Sequence, residues 1–395
     1  MKKNKKTLVL AIFSILISTT GYASAEANTT SCSDWTKYRP KGMITPLISS
    51  PCDTLMPEWG GLRKDMADSG FYAQVQLLTN MTYDVAGNWN PPPNYAGQRL
   101  TTGNYVRTDL TYDLGRIGFS EGSQLYVGGM YAYNNFKPNG QDGHPFFSNL
   151  YIYQPLLNNR VALRYGYAAM LDNFYGLYLG TSSASSALGP TSVMLSQSGL
   201  TSLRPGPTFD IQLFSENMKW YNHFGIGRSR STEGLLADSK YNEYGLRWKQ
   251  PNSGTVMINE IGYKSGGNKG DLLTWSRIGG AYNKSPYLNY DKSEKDDYIY
   301  SAYIAATQQL IQTDETNPAR GWYIDGKANY SPESKSAFTQ DVSLSLFNIG
   351  LFDSRPSDML TIGMGYNKFS KKMHGYYKSN YNITTETYSS SAWLC

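Results

Sequence analysis

Tyr105-Val106-Arg107-Thr108-Asp109-Leu110-Thr111-Tyr112-Asp113-Leu114 is the stretch that decides the fold of this chain. Side chains of a β-strand alternate between two faces. One set here is largely apolar, namely Val106, Thr108, Leu110, Tyr112 and Leu114. The other is polar and charged, namely Tyr105, Arg107, Asp109, Thr111 and Asp113. Two such unlike faces are typical of a half-buried strand in a soluble protein, or of a barrel wall with lipid outside and water inside.

The same alternation recurs along the chain, at residues 160–167, 243–249, 340–347 and 360–367. Polar turns separate about fourteen strand-like segments, and short turns are mixed with longer links such as 184–207 and 284–297. No fixed repeat period is present, which argues against a solenoid or a propeller. The pattern therefore predicts an all-β protein whose strands form a transmembrane antiparallel β-barrel.

Residues 1–25 are predicted to be a secretory signal peptide. Four lysines precede an apolar run over residues 8–17, and Ala23-Ser24-Ala25 supplies a cleavage site of small residues. The alternative, a membrane anchor, needs a longer apolar run. The whole chain has 36 basic and 31 acidic residues; without the four lysines, 32 basic residues remain against 31 acidic ones. This balance gives no electrostatic reason to expect a nucleic-acid partner.

Tyrosine is unusually frequent, with 33 copies in 395 residues. Tyrosine and tryptophan settle at the membrane–water interface, where the ring is buried and the polar tip is hydrated. A tyrosine-rich binding surface is the competing explanation. No second apolar run of about 20 residues follows the signal peptide, so no transmembrane helix is expected.

The N-terminal region of the exported chain is predicted to be irregular. Cys32 and Cys52 are candidates for a disulfide, which stabilises a loop of that length by about 3 kcal/mol. Cys395 would remain unpaired, and no cysteine or histidine cluster suggests a metal or another cofactor. A short helix is expected over residues 61–69, with Leu62 and Met66 on one face and Gly70 as its stop.

Several segments resemble the OprB-type carbohydrate-selective porins of the bacterial outer membrane. The matching segments are Trp59-Gly60-Gly61-Leu62-Arg63, Gln308-Gln309-Leu310, Arg320-Gly321-Trp322 and Gly350-Leu351-Phe352-Asp353-Ser354-Arg355-Pro356-Ser357-Asp358-Met359-Leu360. The resemblance runs from about residue 59 to residue 369. It implies a water-filled barrel of about sixteen strands through which neutral mono- or oligosaccharides diffuse. It also implies contact with outer-membrane lipid, lipopolysaccharide and the barrel assembly machinery, as a monomer or a homotrimer.

The resemblance fades after about residue 371. Barrels of this kind end in a closing strand with an aromatic tip, whereas this chain stops at Ser391-Ala392-Trp393-Leu394-Cys395. We therefore expect an ending that is divergent, or a chain that is truncated or frame-shifted. A missing C-terminal closing strand would leave an unpaired edge in lipid. The expected organisation is a signal peptide at 1–25, an N-terminal periplasmic segment at 26–58 and the barrel at 59–395.

No catalytic constellation is visible, so we do not expect an enzyme. His144 and His223 are expected in a loop and a turn, and His374 outside any strand. The inner face shows charges of both signs instead. Side chains that could contact sugar hydroxyls from the pore wall are Arg107, Asp109, Asp113, Arg160, Arg164, Glu243 and Arg247. Ordinary salt bridges across the wall explain the same residues.

Two other functions are compatible with the sequence. One is a barrel with a blocked lumen and a structural or adhesive role, and the other is a secreted β-protein that binds glycans through tyrosines. Arg320, Arg355 and Asp358 are expected to organise turns rather than to contact sugar.

Overall fold

The computed structural model describes residues 12–13, 35–43, 54–85, 96–176, 193–201, 203–356, 358–385 and 388–394. The strands are β1 (Ile12–Phe13), β2 (Phe71–Asp84), β3 (Thr101–Asp113), β4 (Gln124–Asn134), β5 (Asp142–Leu156), β6 (Val161–Ala168), β7 (Gly206–Phe214), β8 (Trp220–Arg228), β9 (Thr255–Ser265), β10 (Thr274–Lys284), β11 (Tyr287–Asn289), β12 (Glu294–Asp296), β13 (Ile299–Gln312), β14 (Gly321–Tyr330), β15 (Phe338–Ile349), β16 (Met359–Phe369) and β17 (Tyr388–Leu394). The α-helices are α1 (Leu62–Asp68), α2 (Val193–Gln197), α3 (Leu235–Tyr241) and α4 (Lys371–Tyr381).

The long strands form one antiparallel barrel wall. Each strand from β2 to β10 pairs with the next in sequence, β10 pairs with β13, and the series continues to β17. The two-residue strand β1 lies between β17 and β2, where Ile12 is opposite Trp393 and Asp84. Strands β11 and β12 form a separate hairpin. The all-β barrel is confirmed, with fourteen wall strands in the described residues besides β1, against the sixteen or so that were expected.

The faces of the opening stretch are confirmed by burial. Arg107 and Asp109 are 3% and 2% exposed and face the interior, whereas Val106 and Leu110 are 38% and 40% exposed on the outer surface. The predicted strands at 340–347 and 360–367 lie in β15 and β16 with the predicted faces. The strand predicted at 160–167 is β6 with the predicted faces except for Arg160, which precedes the strand and is exposed, so its predicted inward position is wrong. Outward apolar and inward polar side chains are the arrangement that a lipid-embedded wall requires.

The predicted strand at 243–249 is wrong. These residues follow α3 and form no strand; the segment lies beside the wall, where the Phe147 amide donates to the Tyr244 carbonyl at 3.0 Å. Glu243 is half-buried and Arg247 is exposed in this link. Their predicted place on the inner wall is therefore wrong, because alternation also suits a segment that rests against a surface.

The positions of two histidines also differ from expectation. His144 lies in β5, near its beginning. His223 lies in the middle of β8 and is fully buried, so the predicted turn at residues 222–223 is wrong. Asn222 precedes it, but the ladder between β7 and β8 overrides the turn preference of this asparagine. His374 lies in α4, outside any strand as expected.

The predicted short helix is confirmed as α1, and Gly70 follows it with φ of 84°. Its buried face is different from the predicted one. Leu62 is 54% exposed, whereas Ala67 packs in a small cluster with Trp35. Arg63 is buried because its guanidinium lies 4.6 Å from the centre of the Trp59 ring. In the described part of the chain, no helix is both long and apolar enough to cross a membrane.

The barrel has two unlike ends. The short-turn end carries the connections at 157–160 and 215–219, whereas the long-link end carries the connections at 169–205, 229–254 and 285–298. One of the long links, the connection between β6 and β7, folds into the barrel and packs against its inner wall.

Candidate pore lining

The opening strand contributes a charged group to the interior. Arg107 Nε lies 2.9 Å from Asp109 Oδ1, and both side chains are almost completely buried. Arg107 Nη2 also donates to the Tyr126 hydroxyl at 3.0 Å, and that hydroxyl in turn donates to Asp109. Because the β3–β4 ladder sets Tyr126 opposite Thr111, its ring can reach both charged groups. The arginine and the carboxylate therefore neutralise one another within a shared network.

A second pair lies on the neighbouring part of the wall. Arg164 of β6 is directly opposite Asp210 of β7, and their side chains form a buried ion pair. Asn173 Nδ2 donates to the same carboxylate at 3.4 Å. Next to this pair, the His223 ring stacks on Phe174 with centroids 3.9 Å apart. Asn173 and Phe174 both come from the link between β6 and β7, so this link reaches the inner wall.

The opposite wall holds a third charged group. Asp325 accepts a hydrogen bond from Lys327 and lies 3.7 Å from Arg277 Nη2. Glu260 is nearby on the interior side of β9 and accepts from the Tyr221 and Tyr303 hydroxyls at 2.7 and 2.6 Å. Asp325 is thus held by cations and Glu260 by phenols, so charged groups of both signs lie on this wall.

The β6–β7 link folds inward because both it and part of the wall are apolar. Inward-facing residues of β9, β10 and β13 form one cluster with residues of the link, namely Met170, Leu171, Phe174, Tyr175, Leu195, Leu200, Val256, Ile258, Ala281 and Tyr303. Removing this much apolar surface from water favours docking of the link. The result is a lumen that is narrowed from one side.

Hydrogen bonds fix the docked link at Tyr175 and at Ser198. The Tyr175 amide donates to Glu260 at 2.9 Å, and Arg277 Nε donates to the Tyr175 carbonyl at 2.7 Å. Asn329 Nδ2 donates to the Tyr175 hydroxyl at 2.8 Å. Farther along, Asn283 Nδ2 donates to the Ser198 carbonyl at 3.0 Å. Strands β9, β10 and β14 therefore hold one tyrosine in a single position.

The N-terminal segment narrows the lumen from the other side. Residues 35–43 lie along the interior of β3 to β6. The Thr111 hydroxyl donates to the Tyr38 carbonyl at 2.6 Å, the Tyr151 hydroxyl donates to the Lys41 carbonyl at 2.6 Å, and Arg164 Nη1 donates to the Gly42 carbonyl at 3.2 Å. This part of the predicted periplasmic segment is therefore held inside the wall.

Asp172 of the inward link interacts electrostatically with the first two charged groups. It belongs to the short helical turn Met170–Asp172 of the inward link and is half-buried. Burial raises the pKa of its carboxyl, and the charges of Arg107 and Arg164 act in the opposite direction. The carboxylate and the two guanidinium groups therefore interact electrostatically across the interior.

The structure separates the predicted site residues into two sets. Arg107, Asp109 and Arg164 lie together on the interior wall. Asp113, at the end of β3, accepts from the Gly115 amide and caps the helical turn Leu114–Ile117. Arg160 is exposed in the β5–β6 hairpin turn, 3.6 Å from Glu216. These two, like Glu243 and Arg247, lie outside the charged groups of the interior.

Sequence reasoning missed the groups on β9, β10 and β14. The signal in β14 is present, because Tyr323, Asp325, Lys327 and Asn329 alternate with outward Trp322, Ile324, Gly326 and Ala328. For β9, the inward Val256 and Ile258 are apolar while the outward Thr255 and Asn259 are polar, which hides the usual alternation in that half of the strand. Their apolar character is explained only by the link that covers them.

The segments that resemble a family lie at the short-turn end. Arg320 Nη2 donates to the Gly350 carbonyl at 2.7 Å and pairs with Asp353 at 2.8 Å, and its Nη1 pairs with Asp314 at 2.9 Å. Arg355 and Asp358 form an ion pair within the same turn. The expectation that these residues organise turns is confirmed.

The predicted cysteine pair, Cys32 and Cys52, lies outside the described residues. Within the part of the chain that the structure describes, no group of three or more His, Cys, Asp and Glu residues could hold a metal ion.

Comparison with known proteins finds one matching family and several similar structures. The family described as "Carbohydrate-selective porin, OprB family" matches residues 110–387. The chain is similar to the high-pH structure of Pseudomonas putida OprB, with a TM-score of 0.66 and 12% identity over 83% of each chain. No curated protein matches the chain. At this identity, the structural likeness shows the barrel fold.

Two further solved structures are more distant. The low-pH structure of Pseudomonas putida OprB gives a TM-score of 0.43 at 11% identity, over 78% of this chain and 81% of that chain. The trimer form of in-vitro folded OmpT, an outer membrane protein of Vibrio cholerae, gives 0.36 at 10% identity, over 76% and 87%.

Proposed function

Because the chain belongs to the OprB family of carbohydrate-selective porins and is an outer-membrane sugar porin, we propose that it passes small neutral saccharides through the lumen between the inward link and residues 35–43. In this account the short-turn end faces the periplasm and the long-link end faces the cell exterior. Passage is passive, and the wall residues bind and orient the solute without chemical reaction.

The single observation that carries this proposal is the pairing of charges on the interior wall. Arg107 contacts Asp109, Arg164 contacts Asp210, and Lys327 contacts Asp325. A ring of one charge sign would select ions of the opposite sign. Paired charges give little net field, yet their donors and acceptors can exchange hydrogen bonds with sugar hydroxyls.

Of the residues predicted from sequence, Arg107, Asp109 and Arg164 are retained as proposed sugar contacts. Asp210 and Tyr126 join them, because each shares a hydrogen bond with one of the three. Asp113, Arg160, Glu243 and Arg247 are not retained as sugar contacts.

The remaining features of the proposal concern maturation and partners. The family consists of channels, and we propose that this chain has no enzymatic role. We propose that residues 1–25 are a signal peptide whose removal takes β1 out of the wall, that 26–58 are the N-terminal segment, and that the barrel begins at residue 59 with the fourteen wall strands other than β1. The folded barrel contacts lipopolysaccharide, is inserted by the barrel assembly machinery, and works as a monomer or a homotrimer.

Sugar-dependent block of ion current in planar bilayers tests the proposed contacts. Neutral mono- and disaccharides should reduce the current of the wild-type channel in a saturable manner. Arg107→Gln should weaken this block and make the channel more cation-selective, because Asp109 loses its partner. Arg160→Gln is the matched control, since Arg160 is exposed in a hairpin turn. Unchanged block by neutral sugars in Arg107→Gln would contradict the assignment.

A further inference from the structure

Residues 243–249, for which the strand prediction is wrong, form one side of an outward-facing groove. Residues 242–250 follow α3 and run along the outside of the wall. Gly245 has φ of 82°, and a Cβ there would lie 2.1 Å from the Phe147 carbonyl oxygen. Only glycine permits this close approach of the segment to β5. The aromatic side chains that follow are therefore fixed beside the lipid-facing surface.

A cavity of about 670 Å³ lies between this segment and strands β6, β7 and β8. Its large apolar and aromatic lining residues are Tyr165, Tyr167, Phe209, Ile226 and Trp248. The Trp248 and Tyr167 rings meet edge to face with centroids 6.4 Å apart, while Trp248 remains 66% exposed. A volume of this size is in the range of small-molecule sites, about 300–1,000 Å³. Its lining suits an aliphatic chain.

Two cations border the same cavity, Arg228 and Lys249. Arg228 is 7% exposed, donates from Nη2 to the Pro205 carbonyl at 3.1 Å, and has an Nε with no hydrogen-bond partner. Its Nη1 donates to the Ser229 carbonyl at 3.4 Å, and the charge of Asp238 acts on the guanidinium without an ion-pair contact among the described residues. Lys249 is exposed. A buried guanidinium without a contacting carboxylate is a site for an anionic group.

The position of the groove decides which anion it meets. Strand β6 ends at Ala168, β7 begins at Gly206 and β8 ends at Arg228, so the groove opens at the long-link end. This inference rests on the proposed function and its orientation, in which that end of the barrel lies in the outer leaflet. Tryptophan occupies the headgroup level of a membrane, and lysine and arginine extend their charged ends toward the phosphates.

We propose that this groove is a binding site for a phosphorylated glycolipid of the outer leaflet, the lipid A part of lipopolysaccharide. One acyl chain lies against Tyr165, Phe209 and Ile226, beneath the Trp248 ring. A phosphate of the headgroup is held by Arg228 and Lys249. This site is separate from the sugar pathway, because its lining side chains point to the outside of the wall that carries Arg164 and Asp210 inside.

Native mass spectrometry of the full-length barrel in detergent, titrated with lipid A, tests this proposal. The wild-type barrel should retain one lipid A molecule at saturation, and dephosphorylated lipid A should bind at least tenfold more weakly. The double variant Trp248→Ala/Lys249→Ala should lose about tenfold in affinity. Heat-modifiable migration on a gel shows that each variant is folded.

Strand β8, which carries Arg228 at its other end, provides a matched control. Lys219 and Trp220 form an equivalent pair at the short-turn end of β8, where Trp220 is 55% exposed. Lys219→Ala/Trp220→Ala should bind lipid A as the wild type does. Equal losses in both double variants, or equal binding of the dephosphorylated lipid, would overturn the proposal. So would a groove occupied by a second copy of the chain, seen as a dimer that Trp248→Ala/Lys249→Ala dissociates.

Discussion

Truncation of Leu195 should release the inward link without disturbing the barrel wall. Leu195 lies in α2 of the link, is 1% exposed and belongs to the cluster with Val256 and Ile258. Burial of a leucine at such a site is worth about 3 kcal/mol relative to alanine. Since 1.4 kcal/mol corresponds to a factor of ten, Leu195→Ala should raise the ratio of undocked to docked link about 150-fold.

Single-channel recording in planar bilayers measures this ratio directly. The undocked link leaves a wider lumen, so the ratio of time spent at a higher conductance to time spent at the normal conductance should rise about 150-fold in Leu195→Ala. Block of the current by neutral sugars should weaken during the periods of higher conductance. Leu236→Ala is the matched control, because Leu236 is 40% exposed on the short helix α3.

One result would refute the reasoning about the inward link. If a folded Leu195→Ala barrel shows the conductance, the ratio of times at the two conductances and the sugar block of the wild type, apolar docking of the link does not set the width of the lumen. A change of equal size in Leu236→Ala would contradict it as well, since that residue lies outside the cluster.

Three other perturbations have defined outcomes. Asp172→Asn removes a negative charge near two guanidinium groups, so the reversal potential in a salt gradient should shift toward anion selectivity. A shift toward cation selectivity would contradict the placement of this carboxylate. Hydrogen bonds from Asn289 and Lys335 lower the pKa of Asp296 to about 2, so the hairpin β11–β12 should keep this stabilisation above about pH 4 and lose it as pH falls toward 2. A spin label on the hairpin should therefore become mobile on acidification in the wild type, and Asp296→Asn should be mobile at neutral pH. Arg320→Ala should lower the thermal unfolding temperature, because the turns at the short-turn end lose their shared contacts; an unchanged temperature would argue against that role.

Alternation within a strand could be read from sequence because it depends on neighbours along the chain. Arg107 and Asp109 are two residues apart on one strand, so their common face followed directly from the pleat. Alternation wrongly predicted a strand at residues 243–249. A segment that rests on a lipid-facing surface can show the same alternation although it forms no β-ladder with a neighbouring strand. Only the hydrogen bonds of the neighbouring strands separate these two cases.

Contacts distant in sequence decide the rest of the candidate site. Arg164 meets Asp210 across 46 residues, and Tyr175 meets Asn329 across 154 residues. No local sequence pattern predicts either contact. Val256 and Ile258 are apolar although they face inward, because the link that covers them comes from between β6 and β7. The docking of this link is a property of the folded barrel, so sequence alone did not predict the narrowing of the lumen.

Liposome swelling with the folded barrel tests the central claim most directly. Vesicles that contain the protein should swell in isotonic solutions of neutral monosaccharides, at rates that fall as the sugar grows larger. Charged analogues of the same size, such as sugar acids, should enter more slowly. A folded preparation that gives no sugar-dependent swelling, or that admits the charged analogues as fast as the neutral sugars, would contradict the account.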